Sequence, residues 1–235
     1  MMLPINKRYT VLVGNYGSGK TELAIAIART QRAQEAEGRV ALVDLDIVNP
    51  YFRSAEQHAL LEAEGIEVFM PSFAMSTVDI PALPAQIQAV FEQPYAHVVI
   101  DVGGDDTGAT ALGRYAPYTR ALRDEMNVLY VVNPCRPFSS SVEDITGLYR
   151  LIERQARLTP DHLVNNANLQ EFTSPEVLLD GQALLEKASA LLGRPVSMIA
   201  GRPHLKDALP DALKPLFFAF EPLMKPEWLV DADEL

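Results

Sequence analysis

Residues 9 to 30 read YTVLVGNYGSGKTELAIAIART. The apolar run Tyr9 to Val13 predicts a short buried strand. Gly14-Asn15-Tyr16-Gly17-Ser18-Gly19-Lys20-Thr21 comes next, and it fits G-x-x-x-x-G-K-[ST]. Leu23, Ala24, Ile27 and Ala28 then repeat at helical spacing. Strand, glycine loop and helix in that order are the setting of a phosphate-binding loop. Glycines let backbone N–H groups come close to phosphate oxygens, and the helix turns its positive end to the same place. Lys20 supplies a point charge for the β- and γ-phosphates, and the Thr21 hydroxyl can ligate Mg²⁺. The loop from Gly14 to Thr21 is therefore expected to hold a nucleoside triphosphate.

Outward from that stretch, strand-like and helix-like segments alternate. Strands are expected over 9–13, 39–43, 66–69, 97–101, 127–132, 162–165 and 196–200. Helices are expected over 20–36, 54–64, 81–92, 108–124, 140–156 and 174–192, with a further candidate over 206–217. Such alternation predicts an α/β fold, a mainly parallel sheet flanked by helices on both faces. The 235 residues suffice for one domain with a large core, and residues 206–235 read as a proline-rich C-terminal extension.

Ligands of such sheets sit at the carboxyl ends of the strands, so the residues just past each strand matter most. Past the second strand lies Asp44-Leu45-Asp46-Ile47-Val48-Asn49-Pro50-Tyr51-Phe52-Arg53. Two carboxylates two residues apart lie on one side of an extended segment. Beside a triphosphate, Asp44 and Asp46 could hold Mg²⁺ through water or orient an attacking water. Arg53 could reach a γ-phosphate or form an ordinary ion pair. Past the fourth strand lies Asp101-Val102-Gly103-Gly104-Asp105-Asp106-Thr107-Gly108. An aspartate that ends an apolar strand fits a carboxylate serving Mg²⁺, which marks Asp101 as a metal residue. Asp105 and Asp106 read as caps of the next helix.

Asn133-Pro134-Cys135-Arg136-Pro137 lies past the fifth strand. Cys135 reads as buried packing or a reactive thiol, and Arg136 as a phosphate contact, a partner contact or plain surface. After the sixth strand comes Asn165-Asn166-Ala167-Asn168. A side-chain amide offers a donor and an acceptor together, which suits the adenine edge and points to Asn166. An asparagine-rich turn is the alternative. Gly201-Arg202-Pro203-His204 could pack on the base, with Pro203 as the contact.

Composition narrows the partners. The net charge is −11, which disfavours non-specific binding to nucleic acid or anionic lipid. The single cysteine fits a reducing cytoplasm, and the four histidines show no zinc spacing. No apolar run approaches a membrane span, and the start, MMLPINKRYT, shows no signal-peptide pattern.

GNYGSGKT, VDLDIVNPYF, VVIDVGGDD and LVNNANL together make the chain resemble the MinD/ParA/CobQ-type ATPases of the SIMIBI class of P-loop proteins. The resemblance covers about residues 9 to 205. It implies a nucleotide-bound homodimer with ATP near the interface. It also implies that Asp44 and Asp46 lie in a first switch, Asp101 to Gly104 in a second, and Asn166 at the adenine. Many MinD/ParA members carry a lysine early in the loop, in a K-G-G-x-G-K-[ST] pattern. Here Asn15 and Tyr16 stand in place of that lysine and the glycine after it. The tail FEPLMKPEWLVDADEL is acidic and proline-broken, unlike a basic membrane helix. GTPases of the superclass read guanine with an Asp in N-K-x-D, and residues 165–168 lack both the Lys and the Asp, which favours ATP.

Three functions are compatible with these residues. The first is a slow Mg²⁺·ATP hydrolase that switches a protein client, with catalytic Lys20 and Asp46 (or Asp44) and with Thr21, Asp101 and Asp46 around the metal. The second is a synthetase or kinase for a small metabolite, with its pocket built by Met70 to Pro84. The third is an ATP-responsive adaptor that does not hydrolyse.

Overall fold

A computed structural model describes residues 3–46, 55–70, 85–104 and 106–223. The strands are β1 (Tyr9–Gly14), β2 (Val40–Asp44), β3 (Ile66–Phe69), β4 (His97–Asp101), β5 (Met126–Val132), β6 (His162–Asn165), β7 (Val196–Gly201) and β8 (Phe217–Ala219). The helices are α1 (Lys20–Gln34), α2 (Ala55–Ala63), α3 (Ala85–Glu92), α4 (Asp106–Gly113), α5 (Ala116–Ala121), α6 (Val142–Ala156) and α7 (Pro175–Leu192). The strands form one sheet in the order β3-β2-β4-β1-β5-β6-β7-β8, and every pairing is parallel.

Strands buried on both faces read as continuous apolar runs, because each alternate side chain meets a different layer of helices. β1 shows the principle. Tyr9, Val11 and Val13 point into a core shared with Val90 and Phe91 of α3, Leu112 of α4, and Ile145 and Tyr149 of α6. Leu12 points the other way, into a core shared with Leu23 and Ile27 of α1 and Leu61 of α2. The sheet thus has helices on both faces, as the alternation predicts.

The seven strands expected from the sequence all form. Two helical expectations are corrected. Residues 108–124 do not make one helix: α4 stops at Gly113, α5 starts at Ala116, and a 3₁₀ turn covers Arg123–Glu125. Pro117 is the reason for the break, since it lacks an N–H for a continuous helix and is tolerated only in the first turn of α5. Residues 206–217 are not a helix either. They form turns and a 3₁₀ turn at Lys214–Leu216, and Phe217 opens β8, paired in parallel with β7. Phe217 and Phe218 are buried, and Phe220 and Leu223 pack against the α1 side of the core. That half of the tail turns inward, while Trp228 and Leu229 lie outside the described residues. No helix among the described residues is long and apolar enough to cross a membrane.

Leu12 is fully buried at the centre of the α1-side core. Leu12→Ala should cost about 3 kcal/mol of stability, from lost transfer energy plus the cavity left behind. Urea unfolding would read this as a lower midpoint with an unchanged slope.

Candidate functional site

Parallel pairing brings every strand's carboxyl end to the same rim of the sheet, and the loops there carry the site. The loop from Gly14 to Lys20 leaves β1, the central strand between β4 and β5. Gly19 adopts φ +82°, and a Cβ there would lie 2.4 Å from Asn166 Nδ2. Only glycine fits that conformation and that space together. No side chain caps α1 at Gly19, so the helix offers its N-terminal amide groups to an anion. Lys20 is only 7% exposed, and its Nζ donates to Asn15 O at 2.8 Å across the loop.

Beside the loop stands a wall of carboxylates. The β2–β4 register sets Asp44 directly opposite Asp101, and Leu45 N donates to Asp101 O at 2.8 Å. Thr21 Oγ1 donates to Asp101 Oδ2 at 2.6 Å. Asp44 Oδ1 accepts from Asp46 N at 2.7 Å. The remaining oxygens, Asp44 Oδ2 and Asp101 Oδ1, are buried without a hydrogen-bond partner among the described residues. Burial pushes the Asp44 carboxyl above the usual carboxylate range, and the neighbouring Asp101 adds to the shift. Burial pushes Asp101 up too, opposed by Lys20 and by the Thr21 hydrogen bond. Two orphaned acceptors beside a hydroxyl suit a hard divalent cation. Among the described residues no group of three His, Cys, Asp or Glu is placed to hold a metal. Two carboxylates and a hydroxyl fit Mg²⁺, since Mg²⁺ takes one or two carboxylates and completes its shell with water and phosphate oxygens.

Asp46 is half-buried and lies against the second glycine segment: a Cβ on Gly103 would sit 3.3 Å from Asp46 Cγ. Gly104 touches the phosphate loop itself, where a Cβ would lie 2.5 Å from Tyr16 N. The segments after β2 and β4 therefore contact each other and the loop. Tyr16, 66% exposed, stands at the loop's outer edge.

Asn166 takes a place different from the one its chemistry suggests. It is 2% exposed, and its Nδ2 donates to Ser18 O at 2.7 Å, so the amide braces the phosphate loop from below. Asn166 Oδ1 and Ser18 Oγ are buried without partners among the described residues. Asn165 is internal, donating to Leu178 O of α7 at 2.9 Å. Pro203 opens a 3₁₀ turn after β7 and is exposed at the same rim. Cys135 is a half-buried free thiol packed against the core near α7. Asn49 to Arg53, Asp105 and residues 71–84 lie outside the described residues.

The sequence reading missed Asn133. Its Oδ1 accepts from Cys135 N at 3.0 Å and Asn168 N at 3.2 Å, and its Nδ2 donates to Asn168 O at 3.2 Å. One amide thus clips the β5 and β6 loops together. An asparagine at a strand end before proline is a turn signal, and that signal stands in Asn133-Pro134. It also missed Glu22, whose Oε2 accepts from Leu223 N at 2.9 Å and ties the tail to the first turn of α1.

No protein-family model matches the sequence, and no curated protein matches it. Solved structures do. The chain is similar to chloroplast FtsY from Physcomitrella patens, at 16% identity and TM-score 0.53 over 82% of this chain and 58% of that one. It is similar to the signal recognition particle receptor FtsY from Elizabethkingia anophelis, at 15% identity and TM-score 0.52 over 92% and 61%. FlhF complexed with GTP/Mg(2+) matches at 16% identity and TM-score 0.49 over 84% and 67%. The chain spans about three fifths of the FtsY chains it matches. At these identities the likeness is one of fold alone, a parallel α/β sheet flanked by helices.

Burial raises the Asp44 and Asp101 carboxyls above their values in the unfolded chain, so the folded chain keeps these protons to higher pH. Raised carboxylates make stability fall as pH rises, because the unfolded state then binds fewer protons. Without divalent cation, the melting temperature should therefore decline upward from about pH 4, the ordinary carboxylate pKa. Asp44→Asn should flatten that decline and stabilise the metal-free protein at neutral pH by about 1.4 kcal/mol or more, one pKa unit's worth. A pH series of thermal melts on both proteins, in chelator, reads the difference.

Proposed function

We propose that the chain is a slow Mg²⁺-dependent ATPase that works as a nucleotide-controlled switch on a protein client. The observation that carries the proposal is the pair of partnerless buried oxygens, Asp44 Oδ2 and Asp101 Oδ1, beside the Thr21 hydroxyl and a phosphate loop bearing Lys20. A site that only built structure would gain nothing from two buried carboxylates facing each other.

Thr21, Asp101 and Asp46 would hold Mg²⁺, with Asp44 behind them. The cation would supply neutralisation of phosphate charge. The loop amides and Lys20 bind and orient the triphosphate and favour the charge that gathers on its oxygens during transfer. Asp46, more open than Asp44, orients the water: its oxygen bonds to the γ-phosphorus as the bond from that phosphorus to the β–γ bridging oxygen breaks, ADP leaves on that oxygen, and the water's proton passes to the phosphate. The contact of Gly104 with Tyr16 supports the switch. A γ-phosphate at the loop pushes on the segment after β4, and that segment leans on Asp46 through Gly103.

We propose adenine as the base because residues 165–168 carry no carboxylate to accept the guanine N1–H and N2–H₂ donors. Asn166 would serve the base side by fixing Ser18 and Gly19. We propose a protein client and a homodimeric active form, as the resemblance to the MinD/ParA/CobQ-type ATPases implies.

Calorimetric titration with Mg²⁺ should show ATP binding more tightly than GTP, and a tighter GTP isotherm would overturn the base assignment. Lys20→Ala should lower ATP turnover by about 100-fold or more. Asp46→Ala should bind ATP in Mg²⁺ more weakly, through the lost cation contact, and should hydrolyse the bound ATP about 100-fold more slowly, the usual worth of a positioned base. Wild-type turnover in Lys20→Ala would remove the loop from the mechanism.

A further inference from the structure

Resting on that reading, we infer that Arg136 is a second cation of the polyphosphate site, delivered by the chain's own loop between β5 and α6. The guanidinium lies beside the phosphate loop. A methyl group placed on Gly17 would lie 3.8 Å from Arg136 Nε and 4.0 Å from Arg136 Cδ. Gly17 is the loop's fourth residue, among those whose amides cradle phosphates.

The loop that carries Arg136 is clamped on both sides. Upstream, Arg136 N donates to Asn133 O at 3.1 Å, and Asn133 is clipped to Asn168. Downstream, Ser139 N donates to Arg136 O at 3.3 Å. The phosphate loop itself supplies the last tether. Asn15 Nδ2 donates to Pro137 O at 3.2 Å and to Ser139 Oγ at 3.1 Å. Asn15, which brings no charge of its own, therefore docks the segment that brings one.

Charge points the same way. Arg136 is exposed and takes part in none of the ion pairs found among the described residues. In a chain of net charge −11, an arginine without a carboxylate beside a phosphate cradle is matched to an anion from outside. Its planar fork of N–H donors fits two phosphate oxygens at once, which a lysine cannot do. Arg136 thus reads the phosphate chain and not the base, and it sets preference by phosphate number.

The test is calorimetry of the full chain with Mg²⁺ and ATP, ADP or AMP, at low and high salt. It compares wild type, Lys20→Ala, Arg136→Ala, Arg136→Lys and Arg136→Gln. Arg136→Ala should weaken ATP by about tenfold, the scale of one charge-assisted contact. The loss should shrink from ATP to ADP to AMP, and it should shrink again at high salt. Arg136→Lys should recover part of the affinity. Arg136→Gln keeps a polar stem and should match the alanine variant, so it carries the test if Arg136→Ala is misfolded. Wild-type affinity and salt dependence in the neutral variants, with Lys20→Ala impaired, would overturn the role of Arg136 alone. A wild type that binds no nucleotide would overturn the reading beneath it.

Discussion

The β2–β4 register places Asp44 opposite Asp101 in a wall that excludes water, and Thr21 holds one of the four oxygens at 2.6 Å. A one-residue slip would turn one carboxylate to the other face of the sheet and dissolve the pair. Continuous apolar runs on both strands give the helices on each face something to bury, and that burial fixes the register. Two carboxyls so close and so buried are costly to ionise, and the fold tolerates them because many apolar contacts along β2 and β4 oppose the penalty. The site is thus a local cost carried by the core, as expected where a cation and an anion complete the electrostatics.

The rest of the rim is tied to this wall by short polar links. Asn166 fixes the phosphate loop from below through Ser18, and Gly104 approaches it from the side at Tyr16. Asn15 and Asn133 fasten the β5 loop to the phosphate loop and to the β6 loop. Side-chain amides suit that work because each offers a donor and an acceptor without a charge to desolvate. The carboxylates are kept for the wall, and the amides do the bracing.

Much of the scaffold was legible in the sequence. Strands β1 to β7 announced themselves as short apolar runs, since residues buried on both faces leave little room for polar substitution. Gly14 to Thr21 was legible because few sequences combine those glycines, a lysine and a hydroxyl between a strand and a helix. Asp101 was legible as the polar end of an apolar strand. The break at Pro117 was written in the chain but masked, because the helical period continues on either side of it. β8 was hidden because three residues carry no period, and Phe217 and Phe218 qualify as strand only through their pairing with β7.

The layered α/β fold, the phosphate loop and the carboxylates near it are written in contiguous residues, whose spacing has a direct physical meaning. That Asn166 braces the loop, that Asn15 reaches Pro137 and that Asp44 faces Asp101 emerge only in the folded chain. Those facts join residues 57 to 148 positions apart. No local pattern specifies such pairs, since strand order and register arise only when the two cores close over the whole sheet.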